Sequence, residues 1–342
     1  MLESIEIQGF RGIRSAKVGP LGPVVVVTGD NASGKTTFLE AVLLLYARTS
    51  PVPVSSLQMQ RGVGPLDLDG LFHGYGEFGQ SAIFGLFAGG GTAKLTMIGE
   101  PGSLAPASQG ASGAVGLAEP KLTFRVADAD GHFEAMRVTR STPSGMEVGT
   151  DNPKDPAFNA LLLHPVEGPG SPDDGKRFGE VVVHRREKDV VAALQRFDVR
   201  VRDVHYVSPG GNPRFYMDIG LDQRVPCGIL GGGLNRLLQM LIGVEFCHGG
   251  ALLVDEIENG LYYEHMEAVL GSLIDAGSSS GTQLFFSTHS RELLQALARA
   301  AQREGRPELT VVHGNRSESG EITFGSTSGL KALKAIELAE VR

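Results

Sequence analysis

The fold of this 342-residue chain is decided by one stretch, Gly29-Asp30-Asn31-Ala32-Ser33-Gly34-Lys35-Thr36-Thr37. Its spacing, G-x-x-x-x-G-K-[ST], is typical of a loop that binds phosphate. Glycines let the backbone turn tightly, so that successive N–H groups and the positive end of the following helix can face one anion. Lys35 offers a point charge for the β- and γ-phosphates, and the hydroxyl of Thr36 suits a hard Mg²⁺ ion. The stretch therefore predicts a nucleotide-phosphate site.

The residues on either side of this loop support the prediction. Residues 24–27 are four consecutive valines and predict a buried strand, while residues 38–45 predict a helix. A strand, a glycine-rich loop and a helix in this order form the context that the motif requires. The alternative is a glycine-rich turn that matches the motif by chance.

Two further segments carry side chains that suit phosphate chemistry. The apolar run 251–254 predicts a strand that is followed by Asp255 and Glu256. Asp255 suits the Mg²⁺ ion, and Glu256 can orient or deprotonate an attacking water. His289 follows the apolar run 283–287 and can donate a hydrogen bond to phosphate oxygens in the transition state. Alternatively, the two acids cap the next helix and His289 is structural.

The rest of the pattern predicts strands alternating with helices. From residue 234 onward the alternation favours a parallel sheet covered by helices, whereas residues 55–100 favour antiparallel strands. Residues 180–184 predict a further strand. The segments near 99–118 and 141–177 are rich in small residues and proline and predict mobile loops.

The ordered set of phosphate loop, Asp255-Glu256 and the run Ser287-Thr288-His289-Ser290 resembles the ABC-type ATPases. The opening run 5–13, IEIQGFRGI, is similar to the start of the RecF, SMC and OLD branch of that group. The resemblance implies an α/β fold: an ABC-ATPase-like P-loop NTPase with a mixed sheet, helices on its faces and an antiparallel β lobe. It also implies one domain over residues 1–342, in which residues 55–220 match the branch only in outline.

The same resemblance implies Mg²⁺-dependent hydrolysis of ATP by two copies of the chain that enclose two nucleotides head to tail. The segment of one copy that meets the γ-phosphate held by the other corresponds here to Gly231, Gly232 and Gly233. This segment departs from the usual pattern, because glycine replaces the signature serine. A glycine-rich loop that merely caps a helix is the alternative.

Two more residues are assigned through the resemblance. Arg11 is expected to reach the nucleotide phosphates, with a solvent-exposed turn arginine as the alternative. Gln80 is expected to contact Mg²⁺ as the glutamine between the two lobes, and Gln58 and Gln60 compete for that role.

Composition narrows the range of functions. The formal net charge is −8 and the isoelectric point is about 5.6, and this acidic composition does not indicate a nucleic-acid-binding surface. The basic residues near 185–202 alternate with acids, so a solvated helix face is favoured over a DNA contact, although DNA stays a possible partner. Two cysteines and the lack of a long apolar run predict a cytoplasmic protein without a membrane span.

Several functions fit these observations. The first is an ATPase that acts in DNA repair or phage defence. The second is a regulatory ATPase switch for a separately encoded effector such as a nuclease. About 50 residues follow His289, fewer than a nuclease domain is expected to need, and this favours the second function as much as the first. An ABC transporter subunit is disfavoured by the opening run and by the unusual signature segment. A scaffold that binds nucleotide without hydrolysis is disfavoured by Glu256 and His289.

Overall fold

The computed structural model describes residues 1–50, 52–62, 69–74, 79–100, 121–128, 131–142, 145–150, 156–165, 172–211, 213–302 and 308–338. Within these ranges the chain forms sixteen strands: β1 (Leu2–Phe10), β2 (Ile13–Val18), β3 (Val24–Thr28), β4 (Gln80–Phe87), β5 (Gly91–Glu100), β6 (Lys121–Asp128), β7 (Gly131–Thr142), β8 (Gly145–Thr150), β9 (Ala160–Leu163), β10 (Asp203–Val207), β11 (Arg214–Asp218), β12 (Val225–Pro226), β13 (Ala251–Val254), β14 (Gln283–Ser287), β15 (Leu309–Arg316) and β16 (Ile322–Ser328). It also forms eight α-helices: α1 (Lys35–Tyr46), α2 (Val52–Gln60), α3 (Pro172–Val183), α4 (Glu187–Phe197), α5 (Gly232–Phe246), α6 (Met266–Ser280), α7 (Arg291–Ala301) and α8 (Gly329–Leu338).

The central sheet places the candidate site. Its strand order is β16-β15-β3-β14-β13-β9, and all neighbours are parallel except the β15–β16 pair. Because parallel strands end at the same edge, the loops after β3, β13 and β14 lie side by side. These three strands are the ones that the sequence predicts before residues 29–37, Asp255 and His289, and the structure contains each of them.

The two faces of the central sheet bury different helices. Val25, Leu253 and Phe285 point into a core shared with α1, whereas the intervening residues point into a core shared with α5, α6 and α7. The strands are therefore apolar on both sides, as expected for a sheet covered on both faces.

A second, antiparallel sheet has the order β2-β1-β4-β5-β6-β7-β8. Its inward residues, among them Ile5, Ile7 and Ile83, pack in the same core as α1. One helix thus lies between a mostly parallel sheet and an antiparallel lobe. The expected α/β fold of an ABC-ATPase-like P-loop NTPase is confirmed.

A buried polar network joins the start of the chain to this core. Gln283, which is fully buried, accepts hydrogen bonds at Oε1 from the Leu2 N–H at 2.8 Å and the Tyr46 hydroxyl at 2.6 Å. Its Nε2 donates to the carbonyls of Leu2 at 2.8 Å and Gly22 at 2.7 Å. One side chain therefore ties β1, α1 and β14 together.

Two elements differ from the sequence predictions. Residues 180–184 are not a strand, because residues up to Val183 belong to α3, whose Phe178 and Val181 are buried at helical spacing. The segment 141–177, predicted as a mobile loop, contains β8, the buried strand β9 and the start of α3. Residues 101–120, which cover most of the other predicted loop, lie outside the described residues. No helix in the described part of the chain is long and apolar enough to cross a membrane.

Candidate nucleotide-binding site

The loop between β3 and α1 adopts backbone angles that explain its glycines. Gly29 has φ 140° and Gly34 has φ 88°, both in the left-handed half of the map. A methyl group on Gly29 would overlap the carbonyl oxygen of Gly314 in β15. The ammonium of Lys35 donates to the carbonyls of Gly29 and Asp30 at 2.9 Å each. The loop is therefore folded around its own lysine, with the N-terminus of α1 directly behind it.

The carboxylate of Asp255 is held from two sides. Thr36 Oγ1 donates to its Oδ2 at 2.8 Å, and Ser287 Oγ donates to its Oδ1. The same Ser287 hydroxyl accepts the N–H of Glu256 at 2.8 Å. Asp255 and Ser287 are buried, and Ser287 is the last residue of β14. One hydroxyl therefore fixes both acids that follow β13.

The carboxylate of Glu256 lies at the mouth of the site. Its backbone has φ 46°, an uncommon angle for a residue with a side chain. Asn259 Nδ2 donates to its Oε2 at 2.8 Å, and His289 Nε2 lies 3.7 Å from its Oε1. The backbone N–H of His289 donates to Glu258 Oε1 at 2.9 Å. Glu256 and His289 therefore face each other at a separation too long for a direct hydrogen bond.

Several of these groups line one cavity of about 880 Å³. Of the residues predicted from the sequence, the cavity wall includes Arg11, Asn31, Ala32, Gly34, Lys35, Thr36, Thr37, Asp255, Glu256 and His289. Burial lowers the pKa of Lys35, and the nearby charges of Asp255 and Glu256 oppose that shift. The cavity thus combines cationic groups with two carboxylates at one end.

Some predicted residues lie elsewhere. Gln80, at the start of β4, is exposed and is not among the described residues that line the cavity. The competing Gln58 is buried in α2. The glycine segment 231–233 forms the N-terminus of α5, close to the carbonyl oxygen of Gly260, and is also not among those lining residues. The contact of Gln80 with Mg²⁺ and the binding of phosphate by the glycine segment 231–233 therefore remain predictions.

The structure adds residues that the sequence did not indicate. Arg61, His73 and Arg316 line the cavity. The segment 70–74 reaches it because Phe72 bridges to Phe10 and the His73 N–H donates to the carbonyl of Gly9. No motif marks these residues; they reach the site through the packing of α2, β1 and β15.

The donor set near Thr36 fits a magnesium ion. One hydroxyl and one carboxylate are hard oxygen ligands, and Mg²⁺ takes its remaining ligands from nucleotide phosphates and water. Among the described residues no group of three or more His, Cys, Asp or Glu side chains forms a metal site by itself.

A phosphate loop after β3, acids after β13 and a histidine after β14 define a P-loop nucleotide-binding protein of the ABC type. A family described as "AAA domain" matches residues 4–61, and one described as "AAA domain, putative AbiEii toxin, Type IV TA system" matches residues 132–295. Together with the fold, these matches fit an ABC-type ATPase of the RecF/SMC family.

Similar proteins agree with this class. An ATP/GTP phosphatase of Helicobacter pylori is 25% identical over 115 residues, which are 32% of this chain and 30% of the relative. The matches span less than a third of the length of the curated relatives.

Two solved structures share the fold. An SMC head bound to the C-winged helix domain of ScpA has a TM-score of 0.50 at 12% identity, covering 96% of this chain and 98% of the other. An SMC head with an extended coiled coil, bound to the C-terminal domain of ScpA derived from Pyrococcus furiosus, has a TM-score of 0.51 at 10% identity, covering 99% of both chains.

Proposed function

We propose that this chain binds ATP together with Mg²⁺ and hydrolyses it. The observation that carries the proposal is the meeting of Lys35, the Thr36–Asp255 pair and the Glu256–His289 pair at one cavity. The loop that carries Lys35 and Thr36 is more than 200 residues away in sequence from Asp255, Glu256 and His289, and the parallel central sheet brings them together. The "AAA domain" matches and the relative named as an ATP/GTP phosphatase support the same activity.

Each group has a role that its position supports. Residues 29–37 cradle the phosphates with backbone N–H groups and the N-terminus of α1. Lys35 exchanges its two carbonyl partners for phosphate oxygens. Thr36 and Asp255 would hold Mg²⁺, and the ion would supply positive charge that stabilises the phosphates. Glu256 orients and deprotonates the attacking water, and His289 donates to a γ-phosphate oxygen. The gap of 3.7 Å between them leaves their tips available to such ligands.

We propose further that a second copy of the chain completes the site. Gly231, Gly232 and Gly233 stand at the N-terminus of α5, where glycine N–H groups and the helix dipole favour phosphate. They are not among the described residues that line the cavity of their own chain. In this proposal they therefore face a nucleotide held by the other copy. In this proposal residues 1–342 act as one ATPase domain.

In the first candidate for the biological role, ATP hydrolysis by this chain drives a step in DNA repair or phage defence. A second candidate is a regulatory switch that controls a separate effector. The description "putative AbiEii toxin, Type IV TA system" favours the second candidate, since it links the matched domain to a system of more than one component. ATP hydrolysis measured with and without DNA separates the two, because only the first predicts stimulation by DNA.

The test is phosphate release and nucleotide affinity in the wild type, Lys35→Ala and Glu256→Gln. Lys35→Ala should lose ATP binding, whereas Glu256→Gln should keep it and release phosphate at least about a hundredfold more slowly. With ATP, Glu256→Gln should shift in light scattering from the 36.2 kDa monomer to twice that mass. Wild-type turnover in Glu256→Gln contradicts the general-base role, and a monomer with bound ATP contradicts the half-site.

A further inference from the structure

Two polar side chains follow Glu256 in the turn after β13 and have no role in the function proposed so far. They belong to Glu258 and Asn259, and the Asn259 N–H donates to the carbonyl of Glu256 at 3.0 Å. Ile257 anchors the turn, because its side chain is fully buried and its N–H donates to the carbonyl of Ser287 at 3.1 Å. Both polar side chains therefore start from backbone that is fixed against the end of β14.

The side chain of Asn259 holds one oxygen of the Glu256 carboxylate. Its Nδ2 donates to Glu256 Oε2 at 2.8 Å, whereas Oε1 of the same carboxylate lies 3.7 Å from His289 Nε2. The Glu256 side chain is 41% exposed, so packing alone does not fix the orientation of its carboxylate. The hydrogen bond from Asn259 thus leaves Oε1 as the oxygen that faces His289.

The carboxylate of Glu258 holds the backbone of His289. Its Oε1 accepts the His289 N–H at 2.9 Å. The two adjacent N–H groups have other partners: Thr288 donates to the carbonyl of Val27 at 3.1 Å, and Ser290 donates to Thr288 Oγ1 at 2.9 Å. A charged acceptor makes a stronger hydrogen bond with an N–H than a neutral one does. Glu258 therefore links the turn after β13 to the loop that presents the imidazole.

The position of Glu258 is not explained by stability or by its charge. In the described part of the chain its buried Oε2 has no hydrogen-bond partner, and a buried acceptor without a donor is unfavourable. Burial lowers the pKa of Lys35, and Asp255 and Glu256 oppose this shift more strongly than Glu258 does. The hydrogen bond to His289 is therefore the contact that gives Glu258 a purpose at this position.

We propose that Glu258 and Asn259 are positioning residues that together set the gap between Glu256 and His289. The proposal rests on the function above and assigns the side chains that hold the base and the γ-phosphate donor in place. Asn259 orients the carboxylate at one end of the gap, and Glu258 places the imidazole at the other. Since a displacement of about 1 Å at a catalytic group can lower its rate up to about a hundredfold, this geometry controls turnover rather than binding.

The first test is phosphate release at saturating ATP, with ATP affinity measured separately. We expect Glu258→Ala and Asn259→Ala each to lower turnover by about tenfold or more, with ATP affinity within about twofold of the wild type, because Lys35 and residues 29–37 are unchanged. Glu258→Gln should keep turnover within about threefold of the wild type, since its amide oxygen can still accept the His289 N–H.

Double variants test whether each residue acts through its partner. Glu258→Ala should lower turnover no further in a His289→Ala background, and Asn259→Ala should lower it no further in a Glu256→Gln background. A residue that merely stabilised the turn would lower turnover in both backgrounds.

A second measurement does not depend on hydrolysis. In protein labelled with ¹⁵N-histidine, the amide signal of His289 is identified by its absence in His289→Ala. Glu258→Ala should shift this signal more than Glu258→Gln does, because only the first removes the acceptor. If the wild type releases no phosphate, the proposed function fails, and the amide signal still decides whether Glu258 holds His289.

A matched control lies on the same loop. Glu292 Oε2 accepts a hydrogen bond from Ser290 Oγ at 2.9 Å, next to His289 in sequence, and Glu292→Ala should keep wild-type turnover. Asn259→Ala is the variant to rely on if Glu258→Ala does not fold, because Asn259 is exposed. The proposal is overturned if both alanine variants turn over ATP like the wild type, if Glu258→Gln loses as much as Glu258→Ala, or if the losses multiply in the double variants.

Discussion

The Ser287 hydroxyl contacts both acids of the candidate site, and its removal is a sharp test of the geometry. It donates to Asp255 Oδ1 and accepts the N–H of Glu256 at 2.8 Å. Ser287 is fully buried, so water cannot replace it readily. In Ser287→Ala, Asp255 keeps the bond from Thr36, but the Glu256 N–H loses its acceptor.

The magnitude follows from these two bonds. A hydrogen bond to a charged group contributes about 1.5–3 kcal/mol, and a buried donor left without a partner costs about 1–3 kcal/mol. Since the two effects overlap, we expect the free energy of unfolding to fall by about 2–4 kcal/mol. The backbone of Glu256 relaxes at the same time, and a displacement of about 1 Å at a catalytic group lowers turnover up to about a hundredfold. ATP affinity should change little, because Lys35 and the loop are untouched.

The assays are urea unfolding, ATP titration and phosphate release at saturating ATP. Ser280→Ala is the matched control: Ser280 is also buried, but its hydroxyl bonds only neutral groups, the carbonyl of Gly277 and the hydroxyl of Thr282. Ser280→Ala should lower the free energy of unfolding by about 1 kcal/mol without any effect on turnover. Equal stability losses in the two variants, or wild-type turnover in Ser287→Ala, would refute the claim that Ser287 positions the two acids.

Three further predictions concern stability and the phosphate loop. Gln283→Leu removes four hydrogen bonds of a buried side chain and should lower the free energy of unfolding in urea by about 3–5 kcal/mol. Tyr46→Phe, which removes only the hydroxyl, should lower it by about 1 kcal/mol; equal losses would contradict the network. Burial, together with the charge of Asp189, raises the pKa of Glu245 from 4.5 to about 7, so its proton is bound more tightly in the folded state. The Glu245 contribution to the free energy of unfolding of the wild type should therefore fall as pH rises from about 4.5 to 7 and level off above that. Glu245→Gln should lack this part of the pH dependence of the free energy of unfolding. Gly29→Ala should abolish ATP binding, because Gly29 has φ 140° and the added methyl group would overlap a carbonyl of β15. In the control Gly281→Ala, at the left-handed end of α6 with open space around it, the free energy of unfolding should fall by only about 1 kcal/mol and ATP binding should be unchanged.

Three strands of the central sheet, β3, β13 and β14, could be predicted from the sequence because they are buried on both faces. The predicted runs 24–27, 251–254 and 283–287 correspond to β3, β13 and β14 within one residue. Continuous apolar runs bounded by polar loops leave little choice of register or boundary. The phosphate loop and the acids after β13 follow directly, since both stand where such a strand ends.

Other elements depend on contacts that are distant in sequence. β9 is only four residues long and lies in a proline-rich segment, and its pairing with β13 across about ninety residues makes it a strand. The run Glu180-Val181-Val182-Val183 has the β-branched composition of a strand. It becomes the last turn of α3 because Phe178 and Val181 pack at helical spacing, which leaves Val182 and Val183 exposed. Arg61 carries no signal either, because it is an isolated arginine whose position depends on where α2 ends.

The structure gives a physical reason for the glycine that replaces the signature serine at the N-terminus of α5. From the sequence, glycine in place of the signature serine reads as the loss of one hydroxyl donor. In the structure Gly231 has φ 121° and ψ 147°, a region that glycine alone enters readily. A serine there would add a hydroxyl at the expense of about 1–3 kcal/mol of backbone strain, or would force α5 to begin with another geometry. The glycine is therefore part of how this chain starts α5. Under the proposed half-site, the N–H groups of Gly232 and Gly233, rather than a hydroxyl, are the donors offered to the phosphate.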